Sequence, residues 1–274
     1  MSSAASVLRV TSLQAPNADP WVAAVTVYLA ERLGRPVAFV NDIPWEERER
    51  LLDAGQIELG WICGWPYVRK MRRQSPNLEL LAAPVPAGAR YGDRPIYFSD
   101  VVVRRDSPYQ AFADLRGAVW GYNEPGSQSG FNIARYHLAV RGLTWAFFGR
   151  VVRTGSHQNS LRQLLAGGLD ATTIDSTVLE TELEREPALR KQVRVIDVMG
   201  PSPVPPMVAQ TSLPAELRAE LRGGLLEMHH DPAGQAALAL GHVARFAAVS
   251  DADYDAIREM ERVAGHLELA ADEN

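Results

Sequence analysis

The chain has 274 residues, 46% of them hydrophobic and 22% charged, with a formal net charge of −5. That is the balance of an ordinary folded protein, long enough to bury a sizeable core in one large or two smaller domains. The acidic balance argues against a nucleic-acid partner, the single cysteine, Cys63, excludes an internal disulfide and a cysteine metal cluster, and no apolar run is long enough to span a membrane.

In chain order, residues 7–13 read as a strand, 21–33 as an amphipathic helix closed by Gly34, 37–40 as a strand and 45–54 as a helix ending at Gly55. A strand over 57–62 leads to a helix over 66–74. That helix holds the strongest basic run, Arg69-Lys70-Met71-Arg72-Arg73, which reads as a solvated face. Residues 78–85 form a fourth strand. The alternation predicts a parallel sheet with covering helices. Residues 95–105 are a long β-rich run suited to crossing between two lobes. A second α/β set follows, with strands at 118–122, 150–153, 170–174 and 193–198 and helices at 128–141, 157–166 and 177–185. The proline-rich stretch 201–208 reads as a return crossing, and helices at 214–229, 232–240 and 251–264 finish the chain. The acidic end at 272–274 is expected to fray. The expected lobes are thus 1–95 plus 205–274, and 96–204, with a cleft between them.

The stretch Gly121-Tyr122-Asn123-Glu124-Pro125-Gly126-Ser127-Gln128-Ser129-Gly130 carries the most chemistry. It joins a buried strand to a helix, with Pro125 and Gly126 in the turn and Ser127 as N-cap. A helix start has unpaired N–H groups and the positive end of the macrodipole. Two serines and a glutamine add neutral donors, so the stretch can hold an anion. The plain alternative is a capped helix and nothing more. A P-loop is excluded, because Gly-x-x-x-x-Gly-Lys-Ser/Thr is absent. Polar residues recur at the other strand-to-helix junctions: Asn41, Asp42 and Trp45; Ser156, His157, Gln158 and Asn159; Asp175, Ser176 and Thr177. In open α/β sheets such junctions line ligand sites. His229-His230 is not metal-ligand spacing, since adjacent helical residues point in different directions.

These residues, in this order, resemble the phosphonate/phosphate/phosphite solute-binding proteins of ABC importers, which have the two-lobed type II periplasmic-binding-protein fold. The likeness is carried by Tyr97-Phe98-Ser99-Asp100-Val101-Val102-Val103, Phe112-Ala113-Asp114-Leu115-Arg116-Gly117 and Glu124-Pro125-Gly126-Ser127-Gln128-Ser129-Gly130, the last being similar to the family's Ser-Thr-Ser-Gly loop. Gly155-Ser156-His157, Leu164-Leu165-Ala166-Gly167-Gly168-Leu169-Asp170-Ala171 and Ala54-Gly55-Gln56-Ile57-Glu58-Leu59-Gly60-Trp61 extend it. The resemblance implies capture of a small oxyanion by Ser127, Gln128, Ser129 and His157, with aromatic walls from Trp45 and Tyr97. It implies no cofactor and no metal. Partners would be the oxyanion and an ABC permease. Asp175 is the nearest carboxylate and would favour a protonated oxyanion. The positions that face an ammonium in aminoalkyl-phosphonate binders fall near Thr177 and Pro205, neither of them acidic.

Each residue also has a plainer reading: His157 as a cap partner, Tyr97 as core, Trp45 as a hydrophobic staple, Asp175 as the cap of the following helix. Two other functions compete, an enzyme on the same fold, of the cofactor-pyrimidine synthase or dehydratase type, and a cytosolic ligand sensor. The first residues show neither a basic nor an apolar leader segment. The chain is therefore expected to be periplasmic or extracytoplasmic if a leader has been removed, and cytoplasmic otherwise.

Overall fold

A computed structural model describes residues 6–269. The leader reading at residues 1–5 and the acidic end at 272–274 lie outside them. The chain divides into two compact units, one running up to Ile96 and including Pro203–Tyr254, the other Tyr97–Ser202 with the residues from Asp255 onward.

The first unit begins β1 (Leu8–Ser12), α1 (Asp19–Leu33), β2 (Val37–Val40), α2 (Trp45–Asp53), β3 (Leu59–Trp61), α3 (Gly64–Met71) and β4 (Leu78–Pro86). The second contains β5 (Ile96–Arg104), β6 (Val119–Tyr122), α4 (Ile133–Ala139), β7 (Arg150–Arg153), α5 (His157–Leu165), β8 (Ala171–Asp175), α6 (Ser176–Arg185) and β9 (Val193–Pro203). The chain then returns to the first unit as β10 (Met207–Gln210), α7 (Ala215–Glu227), α8 (Pro232–Ala239) and β11 (Val243–Ala247), and ends in the second as α9 (Asp255–Ala264).

In the first unit the strand order is β11-β4-β10-β3-β1-β2. The parallel expectation holds for β2-β1-β3. It does not hold for the rest, because β10 enters between β3 and β4 running the other way and β11 adds a second antiparallel edge. The strand at β11 was not anticipated; Phe246 anchors it in the core while Arg245 pairs with Asp93. α1 shows why the local pattern was readable. Trp21, Val22, Val25 and Leu29 form its buried face, and Gly34 closes it with φ 60°, its N–H bonded to the Ala30 and Glu31 carbonyls. These side chains pack with Leu8, Val10, Leu221 and Leu225 into one core.

In the second unit the order is β7-β6-β8-β5-β9. β6 runs parallel to both β7 and β8, and β5 runs antiparallel to β8. Leu161, Leu164, Leu169, Ile174 and Leu179 fill the layer under α5 and α6. An aromatic set also packs in this unit, with Trp120 stacked on Phe148 at 4.6 Å and Phe131 on Trp145 at 5.3 Å. Such pairs add about 0.5–1.5 kcal/mol each beyond area burial.

The expected first lobe ran to residue 274, but α9 groups with the second unit. Its stripe of Ile257, Met260 and Ala264 is buried, Met260 Sδ accepts from Gln128 Nε2, and the Leu267 carbonyl accepts from Trp145 Nε1. The chain therefore passes between units three times, at 96/97, 202/203 and 254/255.

Candidate functional site

The parallel trio β7-β6-β8 brings three carboxyl strand ends to one edge of the second sheet. Tyr122 is in register with Arg153, and Gly121 with Thr172. A helix begins beyond each strand, and each start has a side-chain cap: Ser127 Oγ accepts from the Gly130 N–H (3.0 Å), Ser156 Oγ from the Asn159 N–H (3.1 Å) and Asp175 Oδ1 from the Thr177 N–H (2.8 Å). Three positive helix ends on one sheet edge suit an anion better than any single one.

The first of these starts is not α-helical. Residues Gln128–Asn132 form a π turn, in which the Asn132 N–H reaches the Ser127 carbonyl (2.9 Å) and the Ile133 N–H the Gln128 carbonyl. The expected helix over 128–141 therefore opens with this wider turn, a feature that recurs at functional sites. Gly130 is required here by space: a Cβ would lie 1.9 Å from Asn123 Oδ1.

The turn brings Ser127, Ser129 and His157 together. Ser129 Oγ lies 2.8 Å from His157 Nε2, and the two serine hydroxyls are 3.5 Å apart. All three side chains are buried. Burial pushes the His157 imidazole down to about 4, with the Thr173 backbone the one group favouring a proton on the ring, although Nδ1 closes no hydrogen bond of normal geometry. At neutral pH the ring is uncharged and the cluster is made of neutral groups.

Asp175 is the cap of α6, accepting from both the N–H and the hydroxyl of Thr177 (2.8 and 2.7 Å). Burial raises its carboxyl to about 6 against the pull of those hydrogen bonds, and Asp100 adds a smaller upward push. Ser99 sits directly opposite on β5. Its hydroxyl is fully buried and closes no hydrogen bond among the described residues. Tyr97, two residues earlier on the same strand, is buried and shares that face. Gln128 is buried with its amide committed: Nε2 donates to Ser202 Oγ (3.2 Å) and Met260 Sδ (3.1 Å), and Oε1 accepts from Asn132 (2.7 Å). It ties the π turn to β9 and α9. Trp45 opens α2 in the first unit, with its side chain 38% exposed.

Two polar residues were not singled out from sequence. Asn123 lies inside the Gly121–Gly130 stretch, between Gly130 and His157, and Ser99 lies in the β-rich run. Their signal is positional: a polar side chain at a strand end, or alternating onto the face of Tyr97. Among the described residues, no group of three or more metal-ligating side chains occurs, and no helix is long and apolar enough to cross a membrane.

A family model described as ABC transporter, phosphonate, periplasmic substrate-binding protein matches residues 17–254. A binding-protein component of a phosphonate ABC transporter from Pseudomonas aeruginosa superposes with TM-score 0.81 at 19% identity, over 97% of this chain and 91% of that one. PhnD1 from Prochlorococcus marinus, in complex with methylphosphonate, gives TM-score 0.82 at 19% identity, over 93% and 97%. A Xanthomonas citri protein bound to ATP gives 0.71 at 17%, over 96% and 98%. These structures share the fold of two-lobed periplasmic binding proteins.

Proposed function

The chain belongs to the phosphonate-binding family of periplasmic ABC-transporter substrate-binding proteins, and from that premise we propose that it captures phosphate, phosphite or a phosphonate through Ser127, Ser129 and His157 and delivers it to a permease. The family is one of binding proteins, not of enzymes, and it works outside the cytoplasmic membrane.

The observation that carries the proposal is the buried Ser127–Ser129–His157 cluster where three helix starts share one sheet edge. Ser127 Oγ accepts from the Gly130 N–H, so its own proton is available to an anionic oxygen. A neutral imidazole supports the serines without adding charge. Directed hydrogen bonds from neutral donors in a buried place select by shape and protonation state more than by charge. Asp175 fits the same logic as a proposed contact, since a carboxylate accepts a P–OH proton and repels a full dianion. Tyr97 and Trp45 are proposed as aromatic contacts of the ligand. Gln128 acts in this proposal by holding the π turn in place.

Calorimetric titration with phosphate, phosphite, methylphosphonate, aminoethylphosphonate, sulfate and ATP tests the reading; ATP is included because a fold neighbour is bound to it. Saturable one-to-one binding of a small phosphorus oxyanion, with no turnover, is the expected result. Binding of ATP with no response to the small oxyanions would shift the assignment to a phosphorylated organic ligand.

A further inference from the structure

Asn123 follows β6 and holds two helix starts at once. Its carbonyl accepts from the Gly155 N–H (2.7 Å), which fixes the entry to α5. Its side chain is buried between Gly130 and His157, with Nδ2 3.5 Å from His157 Nε2 and Oδ1 in the space a Cβ of residue 130 would fill. Oδ1 closes no hydrogen bond among the described residues.

An amide NH2 only donates. Its approach to Nε2 is attractive only if that nitrogen presents a lone pair, which puts the ring proton on Nδ1. The same nitrogen faces Ser129 Oγ at 2.8 Å, so the Ser129 proton is directed at the ring. A hydroxyl has one proton, and while it points at Nε2 it cannot serve an anionic oxygen. Turning it outward would strip a buried nitrogen of its donor, a penalised state unless another donor takes over. Asn123 Nδ2 is that donor.

We propose that Asn123 is the positioning residue of the site: it holds His157 in the Nδ1–H tautomer and replaces Ser129 as donor to Nε2, freeing the Ser129 hydroxyl for the ligand. This deepens the oxyanion reading above and rests on it for the identity of the ligand. No bond is made or broken; one hydroxyl rotates and one amide closes its contact.

The test is imidazole 15N NMR of the whole chain without ligand at neutral pH, with His157 assigned by comparison with His157→Gln. Ser129→Ala imitates the hydroxyl turned away. The Nδ1–H tautomer is expected in the wild type and in Ser129→Ala, and its loss to a mixture in Ser129→Ala/Asn123→Ala. Asn123→Asp, whose carboxylate accepts, should move the proton to Nε2 and covers the case of a double variant that does not fold. An Nε2–H wild type, loss of the tautomer in Ser129→Ala alone, or no change in Asn123→Asp would each overturn the assignment. With methylphosphonate as probe, Asn123→Ala should bind about tenfold more weakly than the wild type. Failure of the wild type to bind methylphosphonate or inorganic phosphate strikes the oxyanion reading, whereas the tautomers, read without ligand, decide the role of Asn123.

Discussion

Two polar clusters, one in each unit, are buried in opposite ways. In the first, Lys70 is buried between α2 and α3, yet its ammonium reaches Glu49 at 2.8 Å and Asp53 at 2.7 Å, and Arg73 closes the set on the other oxygen of Asp53. These ion pairs hold the Asp53 carboxyl below its usual range in spite of burial. In the second, no cation among the described residues offsets the burial of His157 or Asp175: desolvation dominates at both, driving one to the neutral form and lifting the other toward it. Ser99 Oγ and Asn123 Oδ1 are buried beside them without a hydrogen bond among the described residues. A group satisfied by the protein serves the fold, while buried polar atoms left open at strand ends are what a ligand can complete.

The sharpest way to break this contrast is at Lys70. Lys70→Ala leaves Glu49 without its cation and Asp53 with Arg73 alone, and should cost about 3–5 kcal/mol of stability, read by denaturant unfolding, with ligand affinity unchanged. A matching loss of affinity would mean that the first unit's network is part of the site.

The second prediction concerns pH. Asp175 titrates near 6 in the folded protein, above its ordinary 3.8, so its contribution is fully present below pH 3.8 and is lost as pH rises through about 6. His157 titrates near 4, below its ordinary 6.5, so its contribution is present above pH 6.5 and is lost as pH falls through about 4. Each shift corresponds to roughly 3 kcal/mol, and between about pH 4 and 6 the two oppose each other. Asp175→Asn should therefore unmask a fall in stability on acidification across that window, and His157→Gln a rise. Unfolding curves at several pH values decide it; two variants with the same pH slope would show that the pair is not buried as described.

Smaller effects refine the picture. Gly130→Ala should destabilise by about 1–3 kcal/mol, because its Cβ meets Asn123 Oδ1 at 1.9 Å, and it should weaken ligand binding by pushing Asn123 off His157. Ser156→Ala, at the start of α5, should cost only about 1 kcal/mol as the loss of a cap. An Ala at 130 that left thermal stability and affinity unchanged would remove the close packing from the account.

Much of this was legible in the sequence where periodicity and punctuation agree. α1, with its apolar face and Gly34, and the Ser127 cap after Pro125-Gly126 follow from local chemistry alone. What stayed hidden depends on partners distant in the chain. The direction of β10 is set by the strands it enters between, and β11 by a short segment whose one large apolar anchor is Phe246. The placement of α9 depends on contacts at Gln128 and Trp145 that no local pattern encodes. At the candidate site, Ser127, Ser129 and His157 are flagged by the family resemblance and by their places at helix starts. The commitment of the Gln128 amide could not be named in advance, because Ser202 and Met260 lie 74 and 132 residues away. Nor could Asn123, an ordinary turn residue until Gly130 and His157 are folded around it.

The central claim is that neutral donors around Ser127 and Ser129 hold a small phosphorus oxyanion. It is tested most directly by calorimetric titration of inorganic phosphate and methylphosphonate into the wild type and Ser127→Ala, each at low and high salt. Saturable binding of at least one of them is expected, nearly independent of ionic strength because buried interactions are poorly screened, and weaker by about 1–3 kcal/mol in Ser127→Ala. A steep salt dependence, or equal affinity in Ser127→Ala, would show that the anion is held elsewhere and by charge.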